Sequence, residues 1–253
     1  MTRPLAAWNR RIARAQDLED RYPAAAELLR FYRRIARFQR DLEADLAELE
    51  ELSRDLSLHP ARLPHPLLHY RWRLLQLIQQ DGPPKLVKAA GSLMRKEDWD
   101  PADPAPRFVA RVLMQPYAQL LAVRERRERE REAVRPECPF CGEKPVAAAL
   151  RPEGEGGKRY LVCSLCATEW EFRRLLCPSC GEEDHEKLPV FVAQEFPHVR
   201  VEACDTCRVY LKAIDMTKDG LALPEVDELA AVPLDLWAAG RGYAKLQANL
   251  LGL

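Results

Sequence analysis

No stretch of this 253-residue chain approaches the roughly 18 consecutive apolar residues of a membrane span, so a soluble protein without membrane insertion is expected. Nor is there an apolar signal segment at its start. MTRPLAAWNRRIARAQ is Arg-rich and amphipathic, which argues against a secreted, disulfide-stapled protein. An excess of one charge is missing too, with 39 basic and 39 acidic residues. No Ser/His/Asp set, no carboxylate pair in an evident pocket motif and no Gly-rich phosphate loop appears, so no catalytic activity is expected. Cysteine is absent before position 138 and after position 207.

Between those limits lie all eight cysteines, as four Cys-x-x-Cys pairs: Cys138/Cys141, Cys163/Cys166, Cys177/Cys180 and Cys204/Cys207. A two-residue spacer turns two sulfurs inward on one tight knuckle, so each pair can supply half of a tetrahedral tetrathiolate site. Gaps of 21 residues from Cys141 to Cys163 and 23 from Cys180 to Cys204 leave room for two-stranded excursions, whereas only 10 separate Cys166 from Cys177. The expected sites are therefore Cys138, Cys141, Cys163 and Cys166 for one metal, and Cys177, Cys180, Cys204 and Cys207 for the other.

An internal repeat supports that grouping. Cys177 follows Cys138 by 39 residues and Cys204 follows Cys163 by 41. Each copy runs from a Pro-and-Gly knuckle (CPFCG, CPSCG) through an apolar segment (PVAAAL, LPVFVA) and a returning strand (KRYLVC, VRVEAC). A second knuckle and a last strand follow (ATEWEF, RVYLKAI). Gly142 and Gly181 stand where a knuckle needs positive φ. The pattern is that of a rubredoxin-like or zinc-ribbon unit, built twice. A thioredoxin-type redox pair would need a helix start in a βαβ context, and here strands flank every pair.

Charge divides unevenly. Residues 1–137 carry a net of about +5 and residues 138–253 about −5. A mildly acidic cysteine half disfavours nucleic acid as a partner, since a nucleic-acid ribbon carries its basic footprint on or beside the metal module.

The first 135 residues read as helix almost throughout. After Tyr22-Pro23, one long amphipathic helix is expected to run to Leu56, with Leu28, Phe31, Ile35, Phe38, Leu42, Leu46, Leu49 and Leu56 on its apolar face. SLHPARLPHP breaks it. PLLHYRWRLLQLIQQ and KLVKAAGSLMRK resume helical periodicity on either side of Asp81-Gly82-Pro83-Pro84. A further helix is expected from Arg107 to about Arg135, with a kink at Pro116 and a solvated, alternately charged end, RERREREREAVR. The histidines, His59, His65, His69, His185 and His198, are assigned no ligand role, because eight cysteines already fill two sites. The segment from Val226 to Leu253 returns to helical spacing, with Leu229, Leu234, Leu236, Trp237, Tyr243, Leu246 and Leu250 as its apolar set. The expected class is α+β multidomain: a helical domain over 1–135, rubredoxin-like metal domains over 136–175 and 176–220, and a C-terminal helical tail over 221–253 that packs on the rest. Each small ribbon, having little core of its own, is expected to need that cover.

CPFCGEKPV, RYLVCSLCATEWEFRRLLCPSCG, VEACDTCRVYLKAID and DELAAVPLDLWAAGRGYAKLQANLLG together resemble the formate dehydrogenase accessory protein family, FdhE. The likeness covers roughly residues 136–251 and includes Thr168-Glu169-Trp170 and Tyr210-Leu211-Lys212 as well as the cysteines. It implies a cytoplasmic maturation factor, chaperone-like or redox-active, that binds the catalytic subunit of a formate dehydrogenase and does not act on formate. It also favours iron over zinc in the two tetrathiolate sites. A zinc-ribbon adaptor for nucleic acid or a transcription complex is the alternative, and a self-contained electron carrier leaves the large helical domain unexplained. Four thiolates around one metal leave no open position for water or substrate, so neither site is a Lewis-acid centre. Binding is then expected to carry the function, at the junction of helical domain and ribbons and at the knuckle residues Ser164, Leu165, Asp205 and Thr206, taken as exposed. For those four the plainer expectation is knuckle geometry alone, with Asp205 accepting local backbone hydrogen bonds.

Overall fold

A computed structural model of the chain describes residues 3–56, 58, 63–93, 103–125, 135–153 and 156–253. It forms two compact units. The first comprises residues 1–12, 31–127 and 250–252, and the second residues 13–30, 128–249 and 253.

The first unit is helical. It takes the start of α1 (Arg3–Arg21), most of α2 (Ala26–Ala47), and α3 (His65–Asp81), α4 (Pro84–Leu93) and α5 (Pro104–Arg124). On α2, Ile35, Phe38, Leu42 and Leu46 are buried at three- and four-residue steps, the stripe that helical periodicity demands. The helix ends at Ala47, well before the expected Leu56, and Leu49 is exposed. Arg124 donates to the carbonyls of Ala47 and Leu49, at 3.0 and 3.1 Å, and closes the helix there.

Helix α5 is buried nearly all round, from Phe108 through Leu121, and forms the centre of this unit. Pro116 stands inside it and has no N–H for the carbonyl of Val112 one turn back. Gln39, fully buried on α2, donates its side-chain amide to that carbonyl at 2.9 Å and also reaches Gln115 at 3.0 Å. A lost backbone bond is thus replaced by a side chain. Close by in sequence, Trp8 donates to Glu43 at 2.6 Å and Arg11 lies 4.5 Å over the Trp8 ring. Burial pushes the Glu43 carboxyl upward, against the Trp8 bond and the Arg11 charge. The expected α5 extension toward Arg135 and half of the proline-rich break fall outside the described residues.

The second unit is built on one sheet in the order β3-β2-β1-β6-β5-β4. The strands are β1 (Pro145–Glu153), β2 (Gly156–Cys163), β3 (Glu169–Glu171), β4 (Val190–Val192), β5 (Val199–Ala203) and β6 (Val209–Asp215), and a short β7 (Ala244–Lys245) also pairs with β6. Strands β1 to β3 are the first ribbon and β4 to β6 the second. Each is antiparallel within itself. A parallel pairing, Ala148 to Ala213 through Leu150 to Asp215, fuses them. The first strand of one copy thus meets the third strand of the other, so equivalent strands have unlike fates: β1 lies inside the sheet with Pro145–Leu150 buried, while β4 is an edge.

Helices α6 (Pro224–Ala230) and α7 (Val232–Gly240) cover one face, with Leu234, Ala238 and Tyr243 packed on Val199, Val201, Tyr210 and Ile214. Tyr22, from residues 13–30, stacks on Phe196 of the same cluster at 4.7 Å. On the other face Leu161, Phe172, Leu211 and Ala213 form a smaller core with Trp170, Leu176 and Leu246 against it. Fully burying side chains of this kind contributes about 1.5–3 kcal/mol each. The tail is less helical than its spacing implied: past Gly240 the chain turns, Gly242 takes φ +78°, and Ala244–Lys245 pairs as a strand with β6. Leu236, expected in the apolar set, is 72% exposed.

Candidate metal centres

The four knuckles use two backbone templates, each twice. In the first, Gly142 and Gly181 donate to Cys138 and Cys177 C=O at 2.9 and 3.0 Å, and Cys138 and Cys177 donate to Glu143 and Glu182 C=O at 2.9 Å. Both glycines have φ +76°, and nothing lies within 4 Å of where a Cβ would stand. The dihedral angle, not lack of space, is what calls for glycine there. In the second template Cys163 donates to Thr168 C=O at 3.0 Å and Cys204 to Val209 C=O at 2.9 Å. Here Ala167 (φ +53°) and Arg208 (φ +57°) take the left-handed position, which the sequence does not signal because neither is glycine.

These knuckles bring Cys138, Cys141, Cys163 and Cys166 into one cluster and Cys177, Cys180, Cys204 and Cys207 into another, the sulfurs of each lying within 4.8 Å of one another. In the first, Cys138 and Cys166 are 3.5 Å apart, Cys141 and Cys163 3.3 Å, and Cys141 and Cys166 3.6 Å. In the second, Cys177 to Cys207 and Cys180 to Cys204 are both 3.7 Å. Four sulfurs at about 2.3 Å from one ion would have tetrahedral edges of about 3.8 Å, so both donor sets fit a thiophilic tetrahedral ion. All eight cysteines are free thiols.

The surroundings pull the thiols both ways. Backbone N–H groups aim at sulfur, with Leu165 N 3.4 Å from Cys163 Sγ and Ser179 N 3.4 Å from Cys177 Sγ. Cys166 Sγ donates to the Thr168 hydroxyl at 3.0 Å. Hydrogen bonds from Cys141, Cys163 and Cys166 push the Cys138 thiol far down, and the same sharing pushes Cys141 and Cys163 up. Crowded thiols without a cation cannot all ionise. In the second cluster burial pushes Cys177 up to about 12.

The tips differ. Ser164 and Leu165, expected to be exposed, are 5% and 1% exposed, so the first site's second knuckle offers no docking surface. Ser164 is held there by its N–H to Lys144 C=O at 3.2 Å and by its hydroxyl to Glu143 at 3.4 Å. Asp205 and Thr206 are exposed but engaged. Asp205 accepts from Arg208 at 2.8 Å and Tyr243 at 2.6 Å, and Thr206 donates to Glu182 at 2.6 Å. Asp205 thus serves its knuckle, through side-chain donors in place of the backbone donors expected.

Two charged clusters that sequence reasoning missed brace this unit. Lys212, fully buried on β6, donates to Asp235 at 2.6 Å and to the Glu228 and Ala231 carbonyls at 2.6 and 3.2 Å, with the Glu228 carboxylate 3.0 Å away. Lys245 also pairs with Glu228, Asn249 donates to Glu228 at 3.1 Å, and Tyr210 donates to Asp235 at 2.7 Å. Burial pushes the Lys212 ammonium down, and Glu228 and Asp235 oppose it. Removing one member would strand a buried charge at about 3–5 kcal/mol. In the second cluster His198, Asp219 and Asp227 have metal-like spacing, but the cation among them is Arg14, 2.6 Å from Asp219 and 2.5 Å from Asp227. His198 Nε2 lies 2.7 Å from Asp227.

Among the described residues no helix is long and apolar enough to cross a membrane. The family model described as FdhE, central domain, matches residues 137–174, and FdhE, C-terminal domain, matches residues 175–251. A protein FdhE homolog of Aquifex aeolicus is 30% identical over 261 residues, which cover 93% of this chain and 92% of that one. One from Stutzerimonas stutzeri is 40% identical over 129 residues, 49% of this chain and 40% of its own length. The crystal structure of the FdhE protein from Pseudomonas aeruginosa matches with a TM-score of 0.76 at 25% identity, over 99% of this chain and 96% of that one.

Proposed function

The chain belongs to the FdhE family, and from that premise we propose that it is a cytoplasmic maturation factor, not an enzyme, that works by binding the catalytic subunit of a formate dehydrogenase during assembly. The observation that carries this reading is the pair of four-cysteine clusters on one sheet. Each is complete in itself. Cys138, Cys141, Cys163 and Cys166 hold one metal ion, and Cys177, Cys180, Cys204 and Cys207 hold another. A tetrathiolate ion has no vacant position for substrate, which leaves binding as the function and electron transfer as the one chemistry that iron in these sites would supply.

This chain's own residues would do the rest. The knuckle N–H groups of Leu165 and Ser179 donate to the Cys163 and Cys177 sulfurs, and the Lys212–Glu228–Asp235 network fixes the sheet that carries both knuckle pairs. The acidic cysteine half speaks against a nucleic-acid adaptor.

The test is co-purification of the metal-loaded chain with a formate dehydrogenase catalytic subunit, alongside metal analysis and a visible spectrum of anaerobically prepared protein. Stable co-purification and two metal ions per chain are expected. Failure to bind the subunit overturns the functional reading; fewer than two ions overturns the two-site reading. A colourless, zinc-containing protein that still binds leaves a maturation factor whose sites only hold the fold.

A further inference from the structure

We propose that the open edge of β4, with the cavity beside it, docks an extended segment of the partner protein in which a bulky apolar side chain lies next to an acidic residue. This rests on the reading that the chain works by binding a partner. Strand β4 ends its side of the sheet and pairs with β5 alone among the described strands. Ala203 of β5 donates to Pro189 C=O at 3.0 Å, and Val190, Phe191 and Val192 stand opposite Glu202, Val201 and Arg200. Hydrogen-bonded and non-bonded pairs alternate along an antiparallel ladder. Pro189 and Phe191 therefore turn their backbone groups to β5, while Val190 and Val192 turn theirs to the open edge.

The side chains alternate in the same way. Phe191 packs on Trp237 with ring centres 4.8 Å apart, whereas Val190 and Val192 are 53% and 72% exposed. Lys187 and Pro189 precede the strand, but Pro189 turns to β5 and the outward positions Val190 and Val192 themselves carry neither residue type. Exposed valines over outward-facing N–H and C=O groups make a template for an added strand.

Val190 also lines a cavity of about 200 Å³, with room for one bulky side chain. Leu175, 55% exposed, and Leu188 give it an apolar side. Its polar side holds Arg159, Arg174 and Arg200 against Glu202 alone. Arg159 is buried and donates to Glu202 at 2.9 Å, and Arg200 approaches the same carboxylate at 3.3 Å. Arg174 is exposed and bonds the Gly157 carbonyl, and no carboxylate pairs with it among the described residues. An incoming acidic side chain would supply one. Cys177 and Cys204 lie in the same wall, so the docked segment would sit against the second metal site.

The experiment uses the full, metal-loaded chain, titrated with the dehydrogenase catalytic subunit and with two fluorescein-labelled peptides that alternate Val and Phe with Glu or with Lys. Val192→Pro removes the outward N–H and leaves the β4–β5 bonds, an edge position where proline is tolerated; Arg174→Glu reverses the charge. Unchanged circular dichroism and metal content confirm that both variants are folded. Each is expected to weaken subunit binding at least tenfold, the glutamate peptide to bind at least tenfold tighter than the lysine peptide, and hydrogen exchange at Val190 and Val192 to slow in the complex. Subunit binding within twofold of wild type by both variants overturns the docking site and leaves the functional reading standing. If the subunit does not bind at all, the functional reading falls, and the peptides decide the docking site: equal or no binding of the two overturns it. Dimerisation of wild type that Val192→Pro abolishes would make a second copy the occupant and overturn the proposal as well.

Discussion

The two four-cysteine sites share a backbone and differ in their tips. At the first, the residues between the cysteines are Pro139-Phe140 and Ser164-Leu165; at the second they are Pro178-Ser179 and Asp205-Thr206. Cys138, Cys163 and Cys166 are buried and Cys141 half-buried, whereas Cys180 is exposed and Cys207 half-buried. Large apolar tips close the first site, and short polar tips leave the second open to solvent. One template thus yields a shielded centre and an accessible one. The accessible one adjoins the β4 edge of the sheet, while the shielded ribbon carries the opposite edge, β3, and the longer, buried strand β1.

The largest expected effect comes from breaking each site in turn. Structural tetrathiolate sites couple to folding with apparent binding energies on the order of 10 kcal/mol, which sets the ceiling. Cys163→Ser should lose the first metal and most of that stability. The damage should then reach the second ribbon, because β1 and β6 are paired in one sheet and neither ribbon ends at its own boundary. Cys180→Ser, at an exposed corner, should weaken the second site while leaving the first metal in place. Metal content and denaturant midpoints for the two variants measure the difference. Equal losses from both would show that exposure at the tips does not set how much a site holds.

A smaller effect concerns release. Chelator acting on native protein should remove metal in two phases, the faster from the site with exposed Cys180, separated by about tenfold or roughly 1.4 kcal/mol in barrier. Cys180→Ser should empty or quicken the fast phase and leave the slow phase unchanged. A single phase in wild type would erase the contrast between the sites, and a slow phase that Cys180→Ser quickens while sparing the fast one would reverse it.

Much of this was legible in the chain. The cysteine spacing, the repeat, and Gly142 and Gly181 placed the sulfurs, because a knuckle is a local structure written in a few residues. PVAAAL held a further clue: an unbroken apolar run suits a strand buried on both faces, as β1 is in the sheet interior. The β1–β6 pairing itself, between residues some 65 positions apart, has no local signal. LPVFVA, its counterpart, has similar composition yet forms the exposed edge, since neighbours and not residues decide an edge. Lys212 and Arg14 look like ordinary surface cations in sequence; only the fold brings Glu228 and Asp235, or Asp219 and Asp227, around them. The end of α2 at Ala47 depended on Arg124, far along the chain.

The smallest effect isolates the second knuckles. Ala167 and Arg208 hold the same left-handed position with φ +53° and +57°. A residue with a Cβ loses about 1–2 kcal/mol there relative to its usual conformations, which glycine avoids. Glycine in turn costs about 0.4–1 kcal/mol through the greater freedom of the unfolded chain. Ala167 has only its methyl to lose, so Ala167→Gly should be neutral to stabilising, by up to about 1.6 kcal/mol on these figures. Arg208 has more at stake: it bonds Asp205 at 2.8 Å and the Arg241 carbonyl, and its guanidinium lies 3.9 Å over the Tyr243 ring. An exposed ion pair and a cation–π contact are each worth up to about 1 kcal/mol and together outweigh the backbone gain, so Arg208→Gly should be destabilising, by up to about 2 kcal/mol. Denaturation midpoints of the two variants at full metal content should therefore move in opposite directions. If both rise together, backbone strain governs both knuckles and the Arg208 contacts contribute nothing. If both fall, the left-handed position is not strained in either, and the tips alone distinguish the two sites.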